Sequence, residues 1–162
     1  MRRELHTIIA LVENKPGVLN RVASLFRRRG FNIEEITVGD SENPNLARIT
    51  LVVGGGPQEL EQVRKQLEKL VEVVKVSDVT SDKIVAQELA LIKVKAPSGA
   101  RSEIVHLAQI FGAEILHVGS ETMILKLAGE EEKLDTFIKL LRSFGIKELA
   151  RTGKIAMVCE GE

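Results

Sequence analysis

Tryptophan and tyrosine are missing from this chain of 162 residues, and five phenylalanines make up its aromatic content. A chain so poor in rings offers few platforms on which unpaired bases could stack, which counts against RNA as a ligand. An excess of one charge is missing too, since 23 Lys plus Arg balance 23 Asp plus Glu. No net field draws nucleic acid, anionic lipid or a charged substrate to the surface. Cysteine occurs once, as Cys159, so no internal disulfide can form and the thiol reads as structural, suited to a reducing cytosol. No apolar run approaches the ~18 residues of a membrane span. The opening "MRRELHTIIALVENKPG" has too short an apolar stretch for a secretory signal. The expectation is a soluble, cytoplasmic protein that engages neither nucleic acid nor membrane.

Constellations that carry chemistry are also scarce. His6, His106 and His117 lie on different elements without CxxC, HxxxH or HExxH spacing, so packing or surface roles are expected and no metal site. There is no GxSxG elbow and no Walker A pattern. The "GGGP" of Gly54 to Pro57 lacks the Lys and Ser/Thr that would hold phosphates and reads as a strand-to-helix turn. Glu130, Glu131 and Glu132 open a helix, where the dipole favours negative charge without any catalytic role. "RRGFNI" echoes the start of an RNA-recognition motif, but it falls on the wrong strand and puts Ile33 where a stacking ring belongs. No catalytic residues are assigned, and the chain is not expected to be an enzyme on its own.

What is present is a regular alternation of strands and helices. "ELHTIIALV", residues 4 to 12, reads as a buried strand ending at a turn. Val18, Leu19, Val22, Leu25 and Phe26 follow at helical spacing, with Pro16 suited to the first turn and Gly30 to the left-handed C-terminal position. Arg27, Arg28 and Arg29 then complement the negative end of the helix dipole. "FNIEEITVGDS" and "LARITLVVGGG" form a hairpin around Asp40 to Asn45, and a change of apolar parity predicts a bulge near Glu34 and Glu35. A second helix from Pro57 places Leu60, Val63, Leu67 and Leu70 on one face, and residues 71 to 79 close the unit as a strand.

The second half repeats this order. "ELALIKVKA" is a strand, "SGARSEIVHLAQIFG" a helix with Ile104, Ala108 and Phe111 inward, and "AEILHVG" and "TMILKLAG" a hairpin. "EEEKLDTFIKLLRSFG" is a helix burying Leu134, Phe137, Ile138 and Leu141, and residues 146 to 158 form a last strand with a break at Thr152-Gly153. The fold class is α+β, two ferredoxin-like βαββαβ domains in tandem, divided as 1-80 and 81-162 near Thr80 to Lys83. Each domain is small and should lean on a neighbour. The first needs this more, because its leading strand is apolar at both parities, Leu5, Ile9 and Leu11 on one side and Ile8, Ala10 and Val12 on the other.

One turn stands out. In "ENKPGVLNRVASLF" the chain bends at Asn14, Lys15, Pro16 and Gly17 and enters a helix at once. Unpaired N–H groups at such a helix start suit a carboxylate, and Gly17 lets it come close because no Cβ intervenes. An ordinary capped turn would look the same.

The stretch "RELHTIIALVENKPGVLNRVASLFRRRGFNIEEITVG", with N-x-x-G-V/A-L-x-R-V followed by L-F-x-x-R-G-F/Y-N-I-E, resembles the ACT domain of the regulatory small subunits of acetohydroxyacid (acetolactate) synthase. "LEQVRKQLEKLVEVVKV", "RSEIVHLAQIFGAEILHV" and "TGKIAMVCEGE" extend the resemblance over nearly the whole chain. It implies that residues 1-80 are an amino-acid-sensing, dimerising ACT domain. It also implies a partner, the catalytic large subunit, which carries thiamine diphosphate and Mg, with FAD as a further candidate, while this chain carries no cofactor of its own. The implied effector is L-valine, with leucine or isoleucine as alternatives, held between two copies of the chain and inhibiting branched-chain amino acid synthesis. Carried over residue by residue, the effector contacts are Asn14, Pro16, Gly17, Val18 and Leu19 from one copy and Asn32 and Ile33 from the other. The competing reading is a stand-alone tandem amino-acid sensor that controls transcription or transport.

Overall fold

The computed structural model describes residues 4–160, which form two compact units, one running through Val85 and including the segment from Ile155 onward, the other Ala86–Lys154. The outermost residues of the two expected domains, 1–3 and 161–162, lie outside the described residues.

In the first unit the order is β1 (Leu5–Glu13), α1 (Val18–Arg29), β2 (Ile33–Asp40), β3 (Leu46–Gly54), α2 (Pro57–Glu68) and β4 (Val73–Asp78). The strands lie in the order β2-β3-β1-β4, each antiparallel to its neighbours. This is the split βαβ arrangement that the element order predicts. Alternation along β1 sends Ile8, Ala10 and Val12 into a core shared with Val22, Leu25 and Phe26 of α1 and Leu60, Val63 and Leu67 of α2. The predicted bulge is present, because the β2–β3 register shifts between Ile33 and Glu35. The shift puts Ile36 opposite Leu51 and Val38 opposite Ile49, on the core side of the sheet.

The opposite parity of β1 places Ile9 and Leu11 on the other face. Part of their cover comes from the tail, where Arg48 donates from Nη2 to the Ala156 carbonyl at 2.7 Å. Met157 and Val158 stand beside Ile9 and Leu11.

In the second unit β5 (Ile84–Lys95), α3 (Arg101–Phe111), β6 (Glu114–Val118), β7 (Thr122–Gly129), α4 (Glu131–Leu141) and β8 (Ile146–Arg151) build a sheet ordered β6-β7-β5-β8. Ala90, Ile92 and Val94 face Ile104, Ala108, Leu134, Phe137 and Leu141, and the Phe111 ring tilts against Phe137 at 5.1 Å. Near the end of β8, Arg151 pairs with the buried carboxylate of Glu88 and, at 2.6 Å, with Asp135.

The unit division differs from the expected one. A turn does occupy residues 79–82, with Asp82 N donating to Val79 O at 3.2 Å, but β5 begins at Ile84 and its first two residues pack with the first unit. The last strand breaks as expected at Thr152-Gly153, after Arg151, and Gly153 takes φ +78° and redirects the chain. The segment beyond it, β9 (Ile155–Val158), pairs with β5 and packs with the first unit, not the second, and Cys159 N donates to Lys83 O at 2.9 Å. Among the described residues no helix is long and apolar enough to cross a membrane.

Candidate functional site

Between β1 and α1 the chain makes a tight turn whose geometry follows from two residues. Val18 N reaches Lys15 O at 3.4 Å, so Lys15 to Val18 form a β-turn with Pro16 and Gly17 in the middle. Gly17 has φ +87° and ψ −11°, the third-position geometry of a type II turn, which demands glycine, while Pro16 supplies the fixed φ of the second position. Pro16 therefore sits in the turn before the helix and not in its first turn, because α1 begins at Val18. The turn is anchored on both sides. Asn14 N donates to Asn45 O in the β2–β3 hairpin at 2.9 Å, and Glu13 N donates to Glu72 O at 2.8 Å. The Glu72 carboxylate in turn pairs with Arg21, one turn into α1.

No side chain caps α1. The first bond of the helix proper is Arg21 N to Gly17 O at 3.1 Å, so the N–H groups of Leu19 and Asn20 face outward without an acceptor among the described residues. An added Cβ at Gly17 would meet nothing within 4 Å, which leaves open space above these donors. Val18 is buried in the core and fixes the helix start, whereas Leu19 is 47% exposed, an apolar surface beside the donors. The arrangement suits a carboxylate with an apolar neighbour. Lys15 has its pKa raised by a hydrogen bond from its ammonium to the Glu13 carboxylate, at 2.8 Å, and so stays charged at the rim.

Asn32 and Ile33 are elsewhere. Ile33 is half-buried opposite Val53, whereas Glu13, next to the turn, is opposite Leu46. From Leu46 to Val53 along β3 is seven residues, roughly 23 Å at the usual rise of a strand. Within one chain the two groups sit at opposite ends of the sheet. Asn32 is exposed, donates from Nδ2 to Glu34 Oε1 at 2.6 Å, and opens on a cleft of about 400 Å³ whose other walls include Gly30, Gly55 and Glu59.

Of the residues that line that cleft, Glu59 has a role that was not assigned from the sequence. "GGGP" is the strand-to-helix turn it resembles, but it is closed by Glu59, whose Oε2 accepts Gly56 N at 2.7 Å in a capping-box contact. A Cβ at Gly55 would lie 2.6 Å from the same oxygen. The signal was a Gly followed three residues on by Glu ahead of an apolar stripe. Beneath the turn His6 is buried, and its Nε2 lies 2.8 Å from Gly55 O. A carbonyl only accepts, so Nε2 carries the proton, and the other ring nitrogen has no partner. His106 and His117 are exposed, and among the described residues no group of three His, Cys, Asp or Glu could hold a metal ion.

The second unit repeats the fold and an uncapped helix start, since no side chain caps α3 and its first bond is Ile104 N to Ala100 O at 3.1 Å. At the start of α3 the Arg101 guanidinium donates to Ala96 O at 2.9 Å, Gly119 O at 2.6 Å and Ser120 O at 2.5 Å, tying that turn to the β6–β7 hairpin. The first unit has no arginine at that position, where Val18 opens α1.

A sheet ordered β2-β3-β1-β4 under two helices, with an open helix start after a Pro-Gly turn, is the fold of an ACT domain, and the sequence of the first unit matches that family. A family model described as the AHAS small subunit-like ACT domain matches residues 8–75, and one described as the small subunit of acetolactate synthase matches residues 87–160. The chain is 57% identical over 153 residues to a probable acetolactate synthase small subunit of Archaeoglobus fulgidus, covering 94% of this chain and 96% of the other. It is 42% identical over 157 residues to the acetolactate synthase small subunit of Mycobacterium bovis, covering 97% and 94%. The crystal structure of the acetolactate synthase small subunit from Thermotoga maritima superposes with a TM-score of 0.92 at 43% identity, covering 98% of this chain and 99% of that one. The chain belongs to the acetolactate synthase small subunit family.

Proposed function

We propose that this chain is a regulatory subunit without catalysis of its own, which activates the large subunit of acetolactate synthase and reports valine to it from a seam between two copies of the first unit. Thiamine diphosphate, Mg and FAD belong in this reading to the large subunit, and contact with that subunit falls to the second unit. The holoenzyme is cytoplasmic.

One observation carries the proposal: the open helix start and the Asn32–Ile33 pair are matched in chemistry yet stand at opposite ends of one sheet. Strand β2 is an edge strand, and its Ile36 and Val38 are 37% and 45% exposed although they lie on the core side. Such an edge invites a partner strand. If two copies join antiparallel along β2 about a two-fold axis, the start of one β2 comes beside the end of the other. That end, Asp40 opposite Ala47, is also the end at which β1 reaches Glu13 and the turn. The symmetry therefore delivers Asn32 of one copy to the sheet end that holds the turn of the other.

Each part of an amino acid then has a partner. The N–H groups of Leu19 and Asn20 take the carboxylate, the Asn14 and Asn32 side-chain oxygens take the ammonium, and Val18, Leu19 and Ile33 flank the side chain. Burying a valine side chain contributes about 1.5–3 kcal/mol. One methylene changes such a term by about 1–3 kcal/mol, so leucine and isoleucine compete to a limited degree. A ligand that bridges two chains favours one dimer geometry, and a coupling of about 1–3 kcal/mol to the large subunit suffices for feedback inhibition.

Calorimetric titration of valine into the purified full chain tests this reading, with saturable binding of one valine per chain expected. Asn32→Ala removes a hydrogen-bond partner of a charged group and should weaken binding about tenfold or more. Wild-type affinity in that variant would count against the seam.

A further inference from the structure

The face of the first sheet turned away from its helices carries a second feature. A groove of about 330 Å³ runs over Ile9 and Leu11 between β4 and the tail strand β9. Strand register fixes how it is built. Leu11 is paired with Arg48 of β3 on one side and with Lys75 of β4 on the other, and Ile9 is flanked in the same way by Thr50 and Ser77. Cross-strand neighbours point to one face, so two long cations flank a leucine with their Cα atoms about 10 Å apart, close enough for both heads to meet over it.

Those heads are short of acceptors. Arg48 has one donor committed to Ala156 O at 2.7 Å, and a guanidinium has five. Among the described residues no carboxylate lines the groove. The next residue of β1 on this face, Glu13, is paired with Lys15 at 2.8 Å. The far wall is apolar, Met157 and Val158 being 65% and 49% exposed.

We infer that this groove binds a small monocarboxylate with an apolar body and no amino group, its carboxylate bridging Arg48 and Lys75 and its body lying on Ile9, Leu11, Met157 and Val158. Two cations without a lining acid would repel the ammonium of an amino acid, so the ligand class differs from that proposed for the seam, and the inference does not rest on that proposal.

The test is titration of the full chain with 3-methylbutanoate, followed by methyl NMR of Ile9, Leu11, Met157 and Val158. Saturable shifts at these methyls are expected, with a Kd of about 1 mM for so small a ligand. The uncharged 3-methylbutanamide should not saturate them. Lys75→Met should weaken binding tenfold or more without changing the melting temperature, and Lys75→Arg should keep it. Absence of saturable shifts, equal affinity in Lys75→Met, or shifts that follow protein concentration because a second copy covers the groove would each overturn the inference.

Discussion

Gly17 is the residue at which backbone and ligand chemistry meet. Its φ of +87° is easy for glycine and strained for other residues, but an added side chain would point into open space. Gly17→Asp should therefore cost only about 1–2 kcal/mol of backbone strain while setting a carboxylate beside the Leu19 and Asn20 donors. The expected outcome is a folded chain that still stimulates the catalytic subunit but no longer gives a valine titration; an unchanged titration would refute the placement. Glu88 and Arg151 make a different point. The Glu88 side chain is only 2% exposed, and hydrogen bonding to it, then to Asp135, raises the Arg151 pKa. Arg151→Met would leave a buried carboxylate without its counter-charge and should destabilise the second unit by about 3–5 kcal/mol, read by chemical denaturation. The value of this pair was not legible in the sequence, since Glu88 and Arg151 are 63 positions apart and each looks like an ordinary surface charge. The Pro-Gly turn was legible, because both residues act through their own backbone.

At the scale of elements, strands and helices were readable wherever one periodicity dominated. Helix α1 runs from Val18 to Arg29 because its apolar stripe, its Gly30 stop and its basic last turn agree. The bulge in β2 was visible as a change of parity between Ile33 and Ile36. On helix α2 the i,i+4 spacing pairs Glu61 with Lys65 at 3.4 Å, yet the stronger partner of Glu61 is Arg64, which donates to it at 3.0 and 2.8 Å and also reaches Glu68 at 2.5 Å. A spacing of three or four residues permits either partner, and only side-chain geometry decides between them. Hydrogen bonding from Arg64 holds the Glu61 carboxyl down to about 2, below its ordinary range. A depressed carboxylate stabilises the fold above its unfolded pKa and loses that contribution as pH falls through the folded value. Glu61→Gln should thus lower the melting temperature slightly at pH 7, as expected for an exposed pair, and the difference should fade between pH 4.5 and about 2. A difference that grows on acidification would contradict the assignment.

At the scale of the molecule, the repeated βαββαβ order was readable, but the ownership of the tail was not. Ile155 to Val158 follow the second repeat in sequence and pack with the first unit, because β1 is apolar at both parities and its outer face needs cover. That need was visible at Ile9 and Leu11; which segment answers it was not, since any short apolar strand would do. The seam has the same character: the residues that would form it were recognisable as a set, while the sheet ends on which they lie follow only from strand register. Valine sensing in this arrangement needs both copies, and complementation between two defective chains reads that out. Gly17→Asp and Asn32→Ala chains, co-expressed with different affinity tags and purified as the mixed dimer, carry one doubly defective seam and one intact seam. Calorimetry should give no valine binding for a Gly17→Asp dimer, weakened binding for an Asn32→Ala dimer, and a return of one site of wild-type affinity in the mixed dimer. A mixed dimer with no site of wild-type affinity would contradict a seam shared between chains.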